Sequence, residues 1–307
     1  MKPRRHCLKL AAILLPPLTA APAIAASAET WRVVAVVDGD TLALEDGRQV
    51  RLAGIEAAKP PRYAAADGGR PWPLAKAATA ALSELALGRM VTPRGAVLVD
   101  RHGRLLAHLL REDGLWLQAE MLARGHARVH TRPDARAFAA EMLATEDGAR
   151  NAQRGLWRTR VYALRPADPD ALARDRDSFQ IVEGRVLRVT KTGGEAYLDF
   201  GADWRTDVTV HIARPVMRDF AKAGIDPLSY EGKRIRVRGW IGLRSGPMIE
   251  ANHPEQIERL EGGAVTVPSS PPSQQPPPPP RSASAVRPPD TAPDAHPDAH
   301  LEEEDPE

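Results

Sequence analysis

Apolar and polar positions alternate through residues 31–37, and most of the apolar ones are β-branched, which predicts a strand. Asp38-Gly39-Asp40 turns the chain, residues 41–44 return, Asp46-Gly47 turns it again, and residues 49–55 form a third strand. Residues 60–73 are rich in Pro and Gly and predict a loop. At 74–87 the period becomes helical, with Gly88 at its end. Strands are expected at 97–99 and 105–110, on either side of the turn Asp100-Arg101-His102-Gly103-Arg104. A short helix at 117–123 stops at Gly125, and a longer one follows at 135–153, where Arg150 reads as a surface residue.

Short strands with helices behind them make a mainly β, α+β class whose curled sheet resembles the oligonucleotide-binding barrel. Residues 168–177 read as a charged connector, and the composition shift puts a boundary near 160–178. Strands at 181–190, 196–200 and 208–213, a helix at 215–223 and strands at 234–241 and 247–251 follow. Three strands, a helix and two strands is again the order of a five-stranded oligonucleotide-binding barrel. The expected division is a leader at 1–28, a first barrel at 29–160, a second at 178–260 and a tail at 261–307. That tail holds 13 of the 29 prolines and reads as disordered.

Composition sharpens this picture in three places. At 307 residues the chain has room for about two domains. Its single cysteine, Cys7, lies in the leader, so disulfides, thiolate metal sites and a cysteine nucleophile in the body are excluded. Lys2, Arg4, Arg5 and Lys9 precede a short apolar stretch at 10–18 and two Ala-x-Ala triplets, at 23–25 and 26–28. This is a secretory signal pattern, with the mature chain starting at Ala26 or Glu29. Export to the periplasm or the exterior is expected, by general secretion or a twin-arginine route. No later apolar run approaches the roughly 20 residues of a membrane span, so no stable membrane insertion is expected after cleavage. The net charge of +2 hides a gradient. Residues 1–28 carry four basic and no acidic side chains and residues 261–307 two basic and nine acidic, leaving the body at +5. A basic body suits a polyanionic partner.

Candidate chemistry sits in three clusters: Asp38-Gly39-Asp40-Thr41, Arg51 to Glu56, and Asp100 to Arg104. Carboxylates from the first two could hold a hard cation such as Ca²⁺, and arginines from the last two could clamp a phosphate. Their order resembles the staphylococcal nuclease-like, or thermonuclease-like, family over about 30–160. The matching pieces are Val36-Val37-Asp38-Gly39-Asp40-Thr41, Val50-Arg51-Leu52-Ala53-Gly54-Ile55-Glu56-Ala57, Asp100-Arg101-His102-Gly103-Arg104-Leu105-Leu106-Ala107, Arg124-Gly125-His126-Ala127-Arg128-Val129 and Ala152-Gln153-Arg154-Gly155-Leu156-Trp157. The resemblance implies a five-stranded oligonucleotide-binding barrel with three helices and Ca²⁺-assisted phosphodiester hydrolysis. Asp40 and Glu56 would bind the metal with the Ala57 carbonyl, and Arg51 and Arg104 would bind phosphate. The family's general-base Glu is replaced by Lys59, a poor base while it stays charged. If the family geometry holds, Lys59 faces the phosphate and its in-line water. His102 and Asp67 are alternative proton acceptors.

In the second barrel Arg234, Arg236, Arg238 and Trp240 share one strand face, a pattern suited to single-stranded nucleic acid, and Arg101 is a further candidate contact. The readings are an exported nuclease, a nucleic-acid or polyanion-binding module that has lost hydrolysis, and a structural envelope protein. DNA or RNA is the expected partner of the first two.

Overall fold

A computed structural model describes residues 29–59 and 73–260. The leader, the loop residue Asp67 and the Pro-rich tail lie outside the described residues. Among the described residues no helix is long and apolar enough to cross a membrane.

The first unit is built from β1 (Trp31–Asp38), β2 (Thr41–Leu44), β3 (Gln49–Leu52), β4 (Ile55–Ala57), α1 (Ala75–Ala86), β5 (Met90–Pro93), β6 (Leu98–Val99), β7 (Leu105–Ala107), β8 (Leu109–Arg111), α2 (Leu117–Ala123), β9 (Ala127–Val129) and α3 (Ala139–Asn151). Its main sheet runs β6-β7-β3-β2-β1-β5-β8. Only His108 separates β7 from β8, so one bent strand pairs with β3 at one end of the sheet and β5 at the other, and the sheet closes into a barrel. The buried Gln118 of α2 serves the bend, accepting from Leu109 N–H at 3.1 Å and donating to the Ala107 carbonyl at 2.9 Å. A buried amide spanning a kink in this way supplies partners to the Leu109 N–H and the Ala107 carbonyl there. Leu42, Leu52, Leu82, Leu109 and Met121 fill the interior.

The second unit contains β10 (Arg165–Pro166), α4 (Pro169–Arg174), β11 (Phe179–Arg185), β12 (Arg188–Thr192), β13 (Glu195–Asp199), β14 (Thr209–Ile212), α5 (Met217–Lys222), β15 (Arg234–Leu243), β16 (Pro247–Glu250) and β17 (Ile257–Arg259). The order β10-β11-β15-β16-β14-β13-β12 also closes through one bent chain, because only Val186 and Leu187 separate β11 from β12. The single strand expected at 181–190 is therefore two. In the expected connector, Asp168 caps α4 by accepting from Ala171 N–H at 2.7 Å. Pro169 begins the helix, and Leu172 is buried in the second core.

The two units meet along β15. Arg234, Arg236 and Arg238 do share a face, but that face is turned onto the first barrel. Arg238 is wholly buried, donating to Glu146 of α3 at 2.9 Å and to the Val129 carbonyl at 3.0 Å, and it also pairs with Glu258. Arg236 lies between Glu183 and Glu258. Exposed Arg234 reaches Glu183 at 3.2 Å. The strand's alternation selects the face, and the structure commits Arg236 and Arg238 to buried ion pairs while Arg234 stays exposed. Arg150 is likewise buried, bound to Glu146 and Asp147, and is not the surface residue its helix pattern suggests. Burial works to raise Glu146, but the charge and hydrogen bonds of Arg238, the Val129 N–H and Arg150 outweigh it and keep its carboxyl below the usual range. A buried pair of this kind is costly to break from one side, by about 3–5 kcal/mol.

Candidate functional site

The turn between β1 and β2 carries Asp38 and Asp40, with the Asp40 N–H donating to Asp38 Oδ1 at 3.0 Å. Gly39 is required there because a Cβ would come within 2.7 Å of Ala57 and Ala78. The turn is thereby pressed between β4 and α1, and Asp40 becomes fully buried.

Asp40 is surrounded by donors. Oδ1 accepts from Thr41 Oγ1 at 3.2 Å, Oδ2 accepts from the Ala57 N–H at 3.0 Å, and the Lys59 ammonium bonds both oxygens, at 2.8 and 2.7 Å. Arg51 Nε stands 3.7 Å from Oδ1. Lys59 also lies 3.9 Å from Asp38 Oδ2. Burial works to raise the Asp38 carboxyl, but the Lys59 charge and the Asp40 N–H hold it below its ordinary value. Lys59 thus lays its ammonium on the Asp40 carboxylate while its side chain lines the cleft beside Arg51 and Arg104. The four-carbon stem is long enough to fold back onto the nearest buried charge.

Glu56 is on β4, which pairs with β9 so that Arg128 lies opposite. Its Oε2 is 3.0 Å from Nδ1 of His130. Burial opposes ionisation, yet the His130 contact and charge hold the Glu56 carboxyl at about 2. Ala57 offers Asp40 its N–H. Ca²⁺ takes six to eight oxygen ligands at about 2.3–2.6 Å. Here Asp40 is saturated by donors, Glu56 has only the 3.0 Å contact with His130 and no hydrogen bond to its buried Oε2, and no group of three or more His, Cys, Asp or Glu suited to a metal is found among the described residues. The donor set does not fit a Ca²⁺ ion.

The third cluster is a turn closed by Asp100, whose Oδ1 accepts from the His102 and Arg104 N–H groups. Arg104 Nε donates to Asp100 Oδ2 at 2.9 Å. His102 is exposed, and its Nε2 accepts from Arg101 at 3.2 Å.

The second and third clusters, with Lys59, open on one cleft of about 1040 Å³ between the two barrels. Arg51, Glu56, Lys59, Arg101, His102 and Arg104 line it from the first barrel, and Phe179, Arg238 and Trp240 from the second. Its lining holds seven Lys and Arg side chains against four carboxylates. A row of rings runs across it: His130 lies 4.6 Å from Phe179, and Phe179 lies 6.4 Å edge-on from Trp240. Trp240 is half exposed.

Residues 49–159 match the family model described as staphylococcal nuclease homologue. Over these residues, about a third of the chain, the protein is similar to that family. No curated protein matches the chain. The staphylococcal nuclease match includes Arg51, Glu56, Ala57, Lys59, Arg101, His102 and Arg104, and Asp40 lies just before it. The family is typically nuclease or phosphodiesterase and generally Ca²⁺-dependent. Within the nuclease-like barrel, His130 escapes a reading by motif. His130 becomes a partner of Glu56 only through the β4–β9 pairing, which brings together segments more than seventy residues apart. Phe179 joins the site from the second barrel, with no sequence signal linking it to Glu56.

Proposed function

We propose that the cleft binds a nucleic-acid strand, with phosphates on Arg51, Arg104 and Arg101 and a base against Trp240. One observation carries this reading: a single cleft joins the two arginines of the staphylococcal nuclease match to an exposed tryptophan of the second barrel. Cationic side chains draw a polyanion in, and an aromatic face stacks any base. Binding is favoured over Ca²⁺-assisted hydrolysis because Lys59 stands in place of a carboxylate base and its ammonium occupies Asp40, the carboxylate that would hold the metal. Export belongs to the same proposal, and an intact Met1 on soluble exported protein would end it.

The test is fluorescence anisotropy of labelled single-stranded DNA and RNA with full-length mature protein over a range of salt. The expected result is affinity that falls steeply with salt and weakens in Arg51→Ala and Arg104→Ala. Salt-insensitive or absent binding overturns the reading. A second reading, hydrolysis, is favoured by the retention of both arginines on one cleft. Release of acid-soluble nucleotides in Ca²⁺ but not in chelator would establish it.

A further inference from the structure

The mismatch between the donor set and a Ca²⁺ ion has a definite chemical form. The Lys59 Nζ sits 2.7 and 2.8 Å from the two oxygens of a wholly buried carboxylate and 3.9 Å from a second carboxylate. That is a cation bridging Asp40 and leaning on Asp38. The remaining donors, Thr41 Oγ1 and the Ala57 N–H, take one direction on each Asp40 oxygen, and the ammonium takes the other, which an incoming metal would need. A free ion would have to displace an ammonium tethered by its own backbone, whose effective concentration is set by a short stem.

We propose that the Lys59 ammonium is a covalently tethered substitute for a divalent cation, so that this site keeps Asp40 neutralised and grips a polyanion without metal. Two consequences follow. Wild-type protein takes no Ca²⁺ at Asp40. Removing the ammonium uncovers a carboxylate pair, Asp38 and Asp40, that accepts one. The polyanion part rests on the binding reading above; the cation part is independent of it.

The experiment is thermal unfolding of full-length mature protein in chelator and in Ca²⁺ up to the millimolar range typical of weak extracellular sites. Wild type is expected to melt at the same temperature in both. Lys59→Ala is expected to melt several degrees lower in chelator and to regain part of the loss in Ca²⁺. Lys59→Ala combined with Asp40→Asn is expected to ignore Ca²⁺. Lys59→Arg keeps a cation in place and is expected to fold and remain silent to Ca²⁺. The proposal is overturned by a Ca²⁺-dependent rise in wild type that Asp40→Asn abolishes, by such a rise in Lys59→Arg, or by a folded Lys59→Ala that melts identically in both conditions. If Lys59→Ala does not fold in either, the wild-type and Lys59→Arg measurements still decide. Oligonucleotide binding by wild type is expected to be equal in chelator and Ca²⁺. If the Ca²⁺ results are as expected but no oligonucleotide binds, the functional reading falls and the substitution stands.

Discussion

The two barrels follow one cyclic strand order and use their surfaces differently. In each, a bent strand closes the sheet, but it is the last main strand of the first barrel, β7–β8, and the first of the second, β11–β12. In each, one parallel pair seals the order, β3 with β7 and β14 with β16. The first barrel sinks its acidic turn beneath Lys59 and directs Arg51 and Arg104 into the cleft. The second carries the more conspicuous basic strand, yet spends it on Glu146, Glu183 and Glu258 and leaves Trp240 to the cleft. The contrast teaches that a basic strand face on such a barrel does not identify its ligand; what covers the face does.

The largest expected effect breaks the comparison at its seam. Arg238→Ala leaves the buried Glu146 with Arg150 as its remaining cation and should cost about 3–5 kcal/mol in chemical denaturation, whereas Arg234→Ala should cost under about 0.5 kcal/mol because the Arg234 side chain is exposed. Comparable small losses in both would mean that β15 does not form the seam.

Next come the cleft arginines. Arg51→Ala and Arg104→Ala should each weaken oligonucleotide binding about tenfold or more and lower the salt slope by about one. Arg89→Ala, which removes an exposed pair with Glu112, is the control and should leave both unchanged. Loss of one aromatic platform should be comparable or smaller. Trp240→Ala is expected to cost about 1–3 kcal/mol on single strands and little on duplex. A duplex loss of the same size would show that Trp240 does not stack a base.

The smallest effect separates the barrels by pH. His108, enclosed by Trp116 and Phe138 in the first barrel, is pushed down to about 4 by burial and by the neighbouring Arg94 charge. Because its folded value lies below the unfolded one, its contribution is complete above about pH 6.5 and is lost as pH falls toward 4. His211 in the second barrel behaves oppositely. Burial lowers it, but hydrogen bonds and charge from Glu250 and Glu195 win and raise it. Its contribution is complete below the ordinary histidine value and is lost as pH rises through the raised one. Melting temperature against pH should therefore lose part of its acid limb in His108→Leu and part of its alkaline limb in His211→Gln. An unchanged profile in either variant would remove that histidine from the account.

Much of this was readable along the chain, because it depends on local repetition and local turns. The alternation at 31–37, the Asp-Gly turns and the helical spacing of 117–123 involve residues within a few positions of one another, and each element formed within a few residues of its expected limits. The ordered motifs likewise placed Arg51 and Arg104 at one site, where both line the cleft. Cutting residues 181–190 into two strands was not readable, since the bend arises from barrel closure rather than from a turn motif.

Sequence alone therefore determined two curled sheets, a nuclease-like barrel at the front, and the acidic and basic side chains available to its site. Tertiary structure decided how those charges were spent. Arg238 and Glu146 are ninety-two positions apart and meet because burial forces each to find an opposite charge. Lys59 and Asp40 are nineteen apart, and packing of Gly39 against Ala57 and Ala78 buries the carboxylate where the lysine stem can reach it. Charge is written in the chain, but pairing is a property of distance and desolvation, and both are set only when the sheets close.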